Sequence, residues 1–214
     1  MKLYTVPLSN FGNKSVIVIY EKNAAVEVVP PPGELQSAAY LAINPLGKIP
    51  ALEVDGTVIP ESEVINEYLE EKFPSPALLP KDPESRARVR GFTRLHDLYI
   101  DPPMRALFFQ MDPKTRNAEV VKQSLGSLEK ALDYLEGRLG SPWAAGDSFT
   151  LADCALAPSI WYVGRIAPAF GAGDPFAKRP KLKAWFEHVQ QRPSVKRALD
   201  AQGQALKERM SASQ

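Results

Sequence analysis

Between residues 44 and 65 the chain reads Asn44-Pro45-Leu46-Gly47-Lys48-Ile49-Pro50-Ala51-Leu52-Glu53-Val54, then Asp55-Gly56, then Pro60-Glu61-Ser62-Glu63-Val64-Ile65. The order predicts a turn, a short apolar strand, a hairpin, a second strand and the start of an amphipathic helix. Pro50 cannot donate to a central ladder, so it belongs at a sheet end or edge, or in a special turn such as a cis bond. Asp55-Gly56 is the hairpin turn, because glycine reaches positive φ without a Cβ penalty. Glu61 and Ser62 fall at the helix start, where backbone N–H groups and the positive end of the dipole accept an anion. Irregular backbone and a helix N-terminus are thus brought together, an arrangement that suits a small anionic peptide.

The rest of the N-terminal half supplies more alternation. Leu3 to Val6 reads as a first strand ended by Pro7, and Ser9, Asn10 or Asn13 can cap the helix that follows. The run Val16-Ile17-Val18-Ile19 in that helix is β-branched throughout, so local propensity argues for a strand there. Ala25 to Val29 reads as a second strand, stopped by Pro30-Pro31-Pro32-Gly33, and Glu34 to Ile43 as a short helix. Ile65, Tyr68, Leu69 and Phe73 then recur at helical spacing up to Pro74.

Composition changes at Pro74-Ser75-Pro76-Ala77-Leu78-Leu79-Pro80-Lys81-Asp82-Pro83, a proline-rich stretch without periodicity that reads as a linker. After it the pattern is helical. Glu84 to Met111 forms a long segment interrupted by Pro102-Pro103, which predicts a kink near Asp101. Val121, Leu125, Leu128, Leu132, Leu135 and Leu139 mark one face of a core helix within residues 115–139. Phe149-Thr150-Leu151-Ala152-Asp153 reads as a staple plus capping box opening a buried helix, with Pro158 inside it. Two further helices are expected over 181–191 and 195–206, followed by a frayed polar tail from Lys207 to Gln214. The expected division is a domain over 1–75, a linker over 76–83 and an all-helical domain over 84–214.

Charge narrows the function classes. The formal net charge of +1 over 214 residues gives no basic excess for a nucleic acid or a membrane surface. The chain also lacks the apolar run of a membrane span or the h-region of a signal peptide, so a cytoplasmic location is the default expectation. A single cysteine, Cys154, excludes an internal disulfide and a Cys-x-x-Cys pair, and it reads as a small buried apolar residue. His96 and His188 have no cysteine or acidic cluster at ligand spacing and read as surface or packing residues, so no metal is expected.

The order strand, helix, strand, helix, strand, strand, helix, linker and helical half closely resembles the soluble glutathione S-transferase family, in its bacterial-like, serine-type form. The resemblance covers essentially the whole chain and is carried by Ser9, the stretch from Asn44 to Leu52, Glu61-Ser62, and the segment from Phe149 to Asp153. It implies a thioredoxin-like N-terminal domain with a mixed four-stranded sheet that binds glutathione. It also implies a helical-bundle C-terminal domain that supplies the electrophile pocket, and a homodimer. Carried over by position, Pro50 matches the family's cis-proline, with the Ile49 backbone pairing with the cysteinyl part of glutathione. Glu61 and Ser62 match the pair holding the γ-glutamyl end, and Lys48 is placed to touch the peptide backbone or glycyl end. The sequence departs from the pattern at Leu35-Gln36, where many bacterial relatives carry a basic residue or histidine; Gln36 still donates a hydrogen bond but brings no charge.

Glutathione, the expected co-substrate, has a thiol that is mostly protonated at neutral pH, so an enzyme must favour the thiolate. A hydroxyl or amide donor beside a helix N-terminus does so by stabilising the anion. Ser9 is the expected donor and Asn10 its rival, since Asn10 falls where cysteine-type bacterial members place their cysteine; Tyr4, inside the strand, is disfavoured. Without cysteine at either position, chemistry on glutathione's own sulfur is expected, with an apolar electrophile held by Phe11, Asp101, Arg105 and Phe108. The alternatives are a glutathione-dependent peroxidase, isomerase or ether-cleaving enzyme, or a non-catalytic binding or regulatory protein. Taken singly, Ser9 with Asn10 is a helix cap or turn, Glu61-Ser62 a plain helix start, and Asp97 a solvated charge.

Overall fold

The computed structural model describes residues 1–212. Their order is β1 (Lys2–Tyr4), α1 (Asn10–Lys22), β2 (Glu27–Val29), α2 (Ala38–Leu41), β3 (Ala51–Val54), β4 (Thr57–Pro60), α3 (Ser62–Lys72), α4 (Pro83–Leu95), a π-helical turn (His96–Ile100), α5 (Asp101–Phe108), α6 (Ala118–Arg138), α7 (Leu151–Ala169), α8 (Pro180–Val189) and α9 (Pro193–Ala212). The strands form one mixed sheet in the order β2-β1-β3-β4, with β1 parallel to β2 and antiparallel to β3, and β3 antiparallel to β4. This is the thioredoxin-like arrangement expected from the sequence.

Two compact units result, one formed by residues 1–78 with 192–214 and the other by 79–191. The expected helical domain running to residue 214 is therefore corrected at its C-terminal end. Helix α9 packs on α1 in the first unit, where Glu21 receives two bonds from Arg192, at 2.7 and 2.6 Å, and a third from Ser194. The tail is also more regular than expected: α9 continues to Ala212, and residues 213 and 214 lie outside the described residues.

In the first unit, α1 is a helix despite its β-branched centre. Val16 to Ile19 are all buried, and burial against its neighbours overrides a propensity difference worth a fraction of a kcal/mol per residue. Ser9 caps its start by accepting from the Gly12 amide at 3.0 Å, and Asn23 closes it in the left-handed region at φ 45. Asp55-Gly56 makes the β3–β4 hairpin, both residues at positive φ. The short helix foreseen over 34–43 contracts to four residues, α2, with Ser37 as its cap. Residues of the foreseen linker are pinned to this unit, since the Glu70 carboxylate accepts from the Leu78 amide and pairs with Lys22, which also donates to the Pro76 carbonyl at 2.7 Å.

In the second unit the proline-induced irregularity takes the form of a π turn. The Asp101 amide bonds back five residues to the His96 carbonyl, and Pro102 and Pro103 follow without amide hydrogens of their own. Helix α7 is buried from Leu151 to Val163. Its capping box is formed as expected: Asp153 accepts from the Thr150 amide at 2.9 Å, and also from the Ala144 amide and the Trp185 indole, each at 2.8 Å. Burial raises the Asp153 pKa, and these hydrogen bonds oppose that shift.

Candidate active site

In the first unit the turn after β1 is built to present Ser9. The Ser9 amide donates to the Val6 carbonyl at 2.9 Å, closing the turn, and its hydroxyl oxygen accepts from Gly12. That oxygen's remaining capacity as a donor is directed by this bond, because the hydroxyl hydrogen cannot point at the amide it accepts from. Asn10, the rival donor, is buried as the first residue of α1, and Phe11 is half-buried beside it. Gly12 is required by close approach: a Cβ there would stand 1.7 Å from the Thr5 hydroxyl. The buried Lys14 ammonium lies 4.9 Å from the Phe11 ring centroid and 2.5 Å from Glu63 on α3. The sequence reading assigned Lys14 no part.

Tyr4 is committed elsewhere. Its hydroxyl donates to Glu53 at 2.6 Å across β1 and β3, and that bond, with burial and the carboxylate charge, pushes its pKa up to about 12. A phenol so held is a poor source of a proton or hydrogen bond for a sulfur anion.

The stretch from Asn44 to Ser62 has the expected irregular backbone. The Ile49-Pro50 bond is cis, and Pro50 precedes β3 rather than interrupting its ladder. Tyr40 and Asn44 both donate to the Lys48 carbonyl, at 2.7 and 2.8 Å, which fixes the backbone leading into Ile49. Gln36 donates to the Gly47 carbonyl at 3.3 Å, so it lies against the same loop, with its side chain amide partly engaged. Glu61 stands at φ 66, a conformation that costs a non-glycine residue about 1–3 kcal/mol and persists where the surroundings impose it. It precedes α3 without a side-chain cap, while Ser62, the first helical residue, is buried.

Of the expected electrophile-pocket residues, Asp101, Arg105 and Phe108 lie on α5 in the second unit and Phe11 on α1 in the first. Asp101 is buried and accepts from Arg105 at 3.0 and 3.4 Å, so the two form an ion pair along α5. Phe108 packs edge-on against Tyr162 at 5.1 Å. A separate cavity of about 1000 Å³ in this unit is lined by Leu98, Tyr99, Pro102, Pro103 and Tyr134 among others, and by none of the expected pocket residues. Asp97 is not the solvated charge that its position suggested, since it bonds to His96 at 2.8 Å and to Arg94 at 3.1 Å. His96 is wholly buried and also bonds to Ser159 at 2.5 Å. Among the described residues, no group of three or more His, Cys, Asp or Glu side chains is placed to hold a metal ion.

The glutathione S-transferase N-terminal domain profile matches residues 3–77, and the corresponding C-terminal domain profile matches residues 99–193. Over 214 residues the chain is 33% identical to glutathione S-transferase 3 of Zea mays, covering 94% of each. The chain belongs to the glutathione S-transferase family. Over 181 residues it is 36% identical to maleylacetoacetate isomerase of Pseudomonas aeruginosa, covering 80% of this chain and 85% of that one. Its fold is similar to that of a solved glutathione S-transferase from Methylobacterium radiotolerans in complex with glutathione sulfonate, with a TM-score of 0.78 at 30% identity over 92% of this chain and 93% of that one. In this glutathione S-transferase family chain, the turn at Ser9 and the stretch from Lys48 to Ser62 belong to one unit. No described helix is long and apolar enough to cross a membrane.

Proposed function

We propose that the protein is a glutathione transferase in which Ser9 stabilises the glutathione thiolate for attack on an apolar electrophile. The observation that carries this reading is the Ser9 hydroxyl at the start of α1, its oxygen accepting from the Gly12 amide, an arrangement in which the hydroxyl can still donate to a sulfur anion. A sulfur anion at that point gains a hydrogen bond and the helix dipole, both of which lower the thiol pKa. The thiolate then attacks the electrophilic carbon. In a substitution the leaving group departs with its electron pair; in an addition across an activated double bond the electron pair moves to the neighbouring carbon, and that carbanion is protonated from solvent.

Recognition falls to the stretch from Lys48 to Ser62. The Ile49 backbone pairs with the cysteinyl unit, Glu61 and Ser62 hold the γ-glutamyl amino and carboxylate groups, and Gln36 and Lys48 face the glycyl end. Glu61's positive φ and the uncapped start of α3 support this assignment, since both bring backbone and side chain to one carboxylate-binding corner. Arg105 and Phe108, both on α5, supply acceptor contacts. Asp101 serves by holding Arg105. The protein works in the cytoplasm as a homodimer. The exposed Leu98, Tyr99 and Tyr134, at 52%, 59% and 58% accessibility around the cavity of the second unit, form the face that a second copy covers.

Retention on immobilised glutathione, followed by conjugation with a chromogenic aryl halide, tests the proposal. The absence of both retention and turnover would overturn it. A second reading, glutathione-dependent cis–trans isomerisation of an unsaturated acid, is favoured by the 36% identity to a maleylacetoacetate isomerase. Turnover of a maleyl substrate without aryl halide conjugation selects it.

A further inference from the structure

The Ser9 turn is held from behind by a chain of hydrogen bonds that begins in the last helix. Asn13, buried on the second turn of α1, donates through Nδ2 to the Pro7 carbonyl at 2.8 Å and to Gln202 Oε1 at 2.6 Å. Both hydrogens of that amide are used, and the Pro7 carbonyl fixes its orientation: turned over, the Asn13 oxygen would face the Pro7 oxygen with no proton between them. Pro7 has no amide hydrogen of its own, and its carbonyl is the handle by which this part of the turn is tied to the helix. Gln202 is wholly buried on α9, and its reach is set independently of Asn13. Arg192 and Ser194 fix α9 to Glu21, and the Arg197 guanidinium stacks 4.1 Å from the Tyr20 ring centroid.

We infer that Gln202 is a positioning residue for the thiolate-stabilising Ser9, acting through Asn13 and the Pro7 carbonyl. It touches neither glutathione nor the acceptor. Its role follows from geometry: the turn closed by the Val6 to Ser9 bond has Pro7 at its crest, and a shift of that carbonyl carries Ser9 Oγ with it. A hydrogen-bond donor to an anion loses much of its effect when displaced by about 1 Å, so a buried amide far down the sequence sets how acidic the bound thiol becomes. The inference rests on the proposed role of Ser9.

The test compares full-length wild type with Gln202→Met, which keeps the volume without the acceptor, and Gln202→Glu, whose carboxyl, neutral when buried, keeps an acceptor oxygen and a donor. The bound glutathione thiol is titrated by its thiolate absorbance, alongside kcat and the glutathione KM. In Gln202→Met the thiol pKa rises by about half a unit to one unit and kcat falls about fivefold to tenfold, while KM stays within about twofold. Gln202→Glu restores all three. A purely structural Gln202 would lower Tm and raise KM with the thiol pKa unmoved, and that result overturns the inference, as does a Glu variant no better than Met. Where Gln202→Met does not fold, Gln202→Asn, which withdraws the amide by one methylene, takes its place with the same expectations. Amide hydrogen exchange at Ser9 and Gly12 separates this inference from the proposed function. Exchange about tenfold faster in the Met variant and normal in the Glu variant supports the linkage even if wild type conjugates nothing, and unchanged exchange rejects it.

Discussion

Lys14 Nζ lies 2.5 Å from Glu63 Oε1, and the lysine side chain is wholly withdrawn from water. The pair joins α1 to the first turn of α3, the two helices whose starts carry Ser9 and Ser62. An ammonium in such a place needs compensating partners, and the Glu63 carboxylate is one that ties the two helix starts together as well as adding stability.

Removing Glu63 takes away a carboxylate that compensates the buried ammonium. Glu63→Gln is expected to lower unfolding stability by about 3 kcal/mol, and the double variant Lys14→Met/Glu63→Leu to recover a large part of that loss. Urea denaturation of the singles and the double checks this, and additive losses would show that the pair does not act as a unit.

Ser9→Ala removes both the cap and the proposed thiolate donor. We expect kcat to fall about a hundredfold, with about 1 kcal/mol lost from stability. Asn10→Ala is expected to keep kcat within about threefold of wild type. Parallel kinetics with aryl halide decide between them, and the reverse ranking would transfer the donor role to Asn10.

At Glu61 strain and binding oppose each other. Glu61→Gly accepts φ 66 freely, so its thermal stability should equal or exceed that of wild type, with a change within about 1 kcal/mol, while glutathione affinity falls. Calorimetric titration beside a melting curve reads both. Loss of stability in the glycine variant would remove strain as the explanation. In the same titration Ser62→Ala should weaken glutathione binding more than it changes saturated turnover.

Tyr4 gives a pH signature. Its pKa is raised to about 12 from the ordinary value of 10.0, chiefly by its bond to Glu53. The folded chain therefore holds this proton more tightly than the unfolded chain does. The stabilisation is complete below pH 10 and is lost as pH rises towards 12. Tyr4→Phe should flatten that part of the stability profile, and absorbance titration of wild type should show one tyrosinate forming near pH 12.

Asp153 accepts from two amides and an indole in a buried position. Asp153→Ala strands these donors and should cost about 3–5 kcal/mol, with activity of the remaining folded fraction unchanged. Denaturation midpoints and active-site titration together check this, and a specific-activity loss in fully folded protein would give Asp153 a part in the site.

Features set by short-range chemistry were legible in the chain itself. Ser9 caps α1, Asp55-Gly56 turns the hairpin, Thr150 and Asp153 form a capping box, and Pro102-Pro103 distorts the helix near Asp101, because each depends on residues a few positions apart. The family motif then pointed to the stretch from Lys48 to Ser62 as the glutathione-binding face. Tertiary structure decided what depends on partners distant in sequence. Burial keeps Val16 to Ile19 helical against their own preference, and Asp101 is paired with Arg105 one helical turn on. His96 joins Asp97 to Ser159, and α9 leaves the helical unit to pack on α1. Asn13 could be foreseen only as a possible cap. Its role came from Gln202, 189 positions away, because the energy of a buried amide lies in whichever donors and acceptors the fold brings to it.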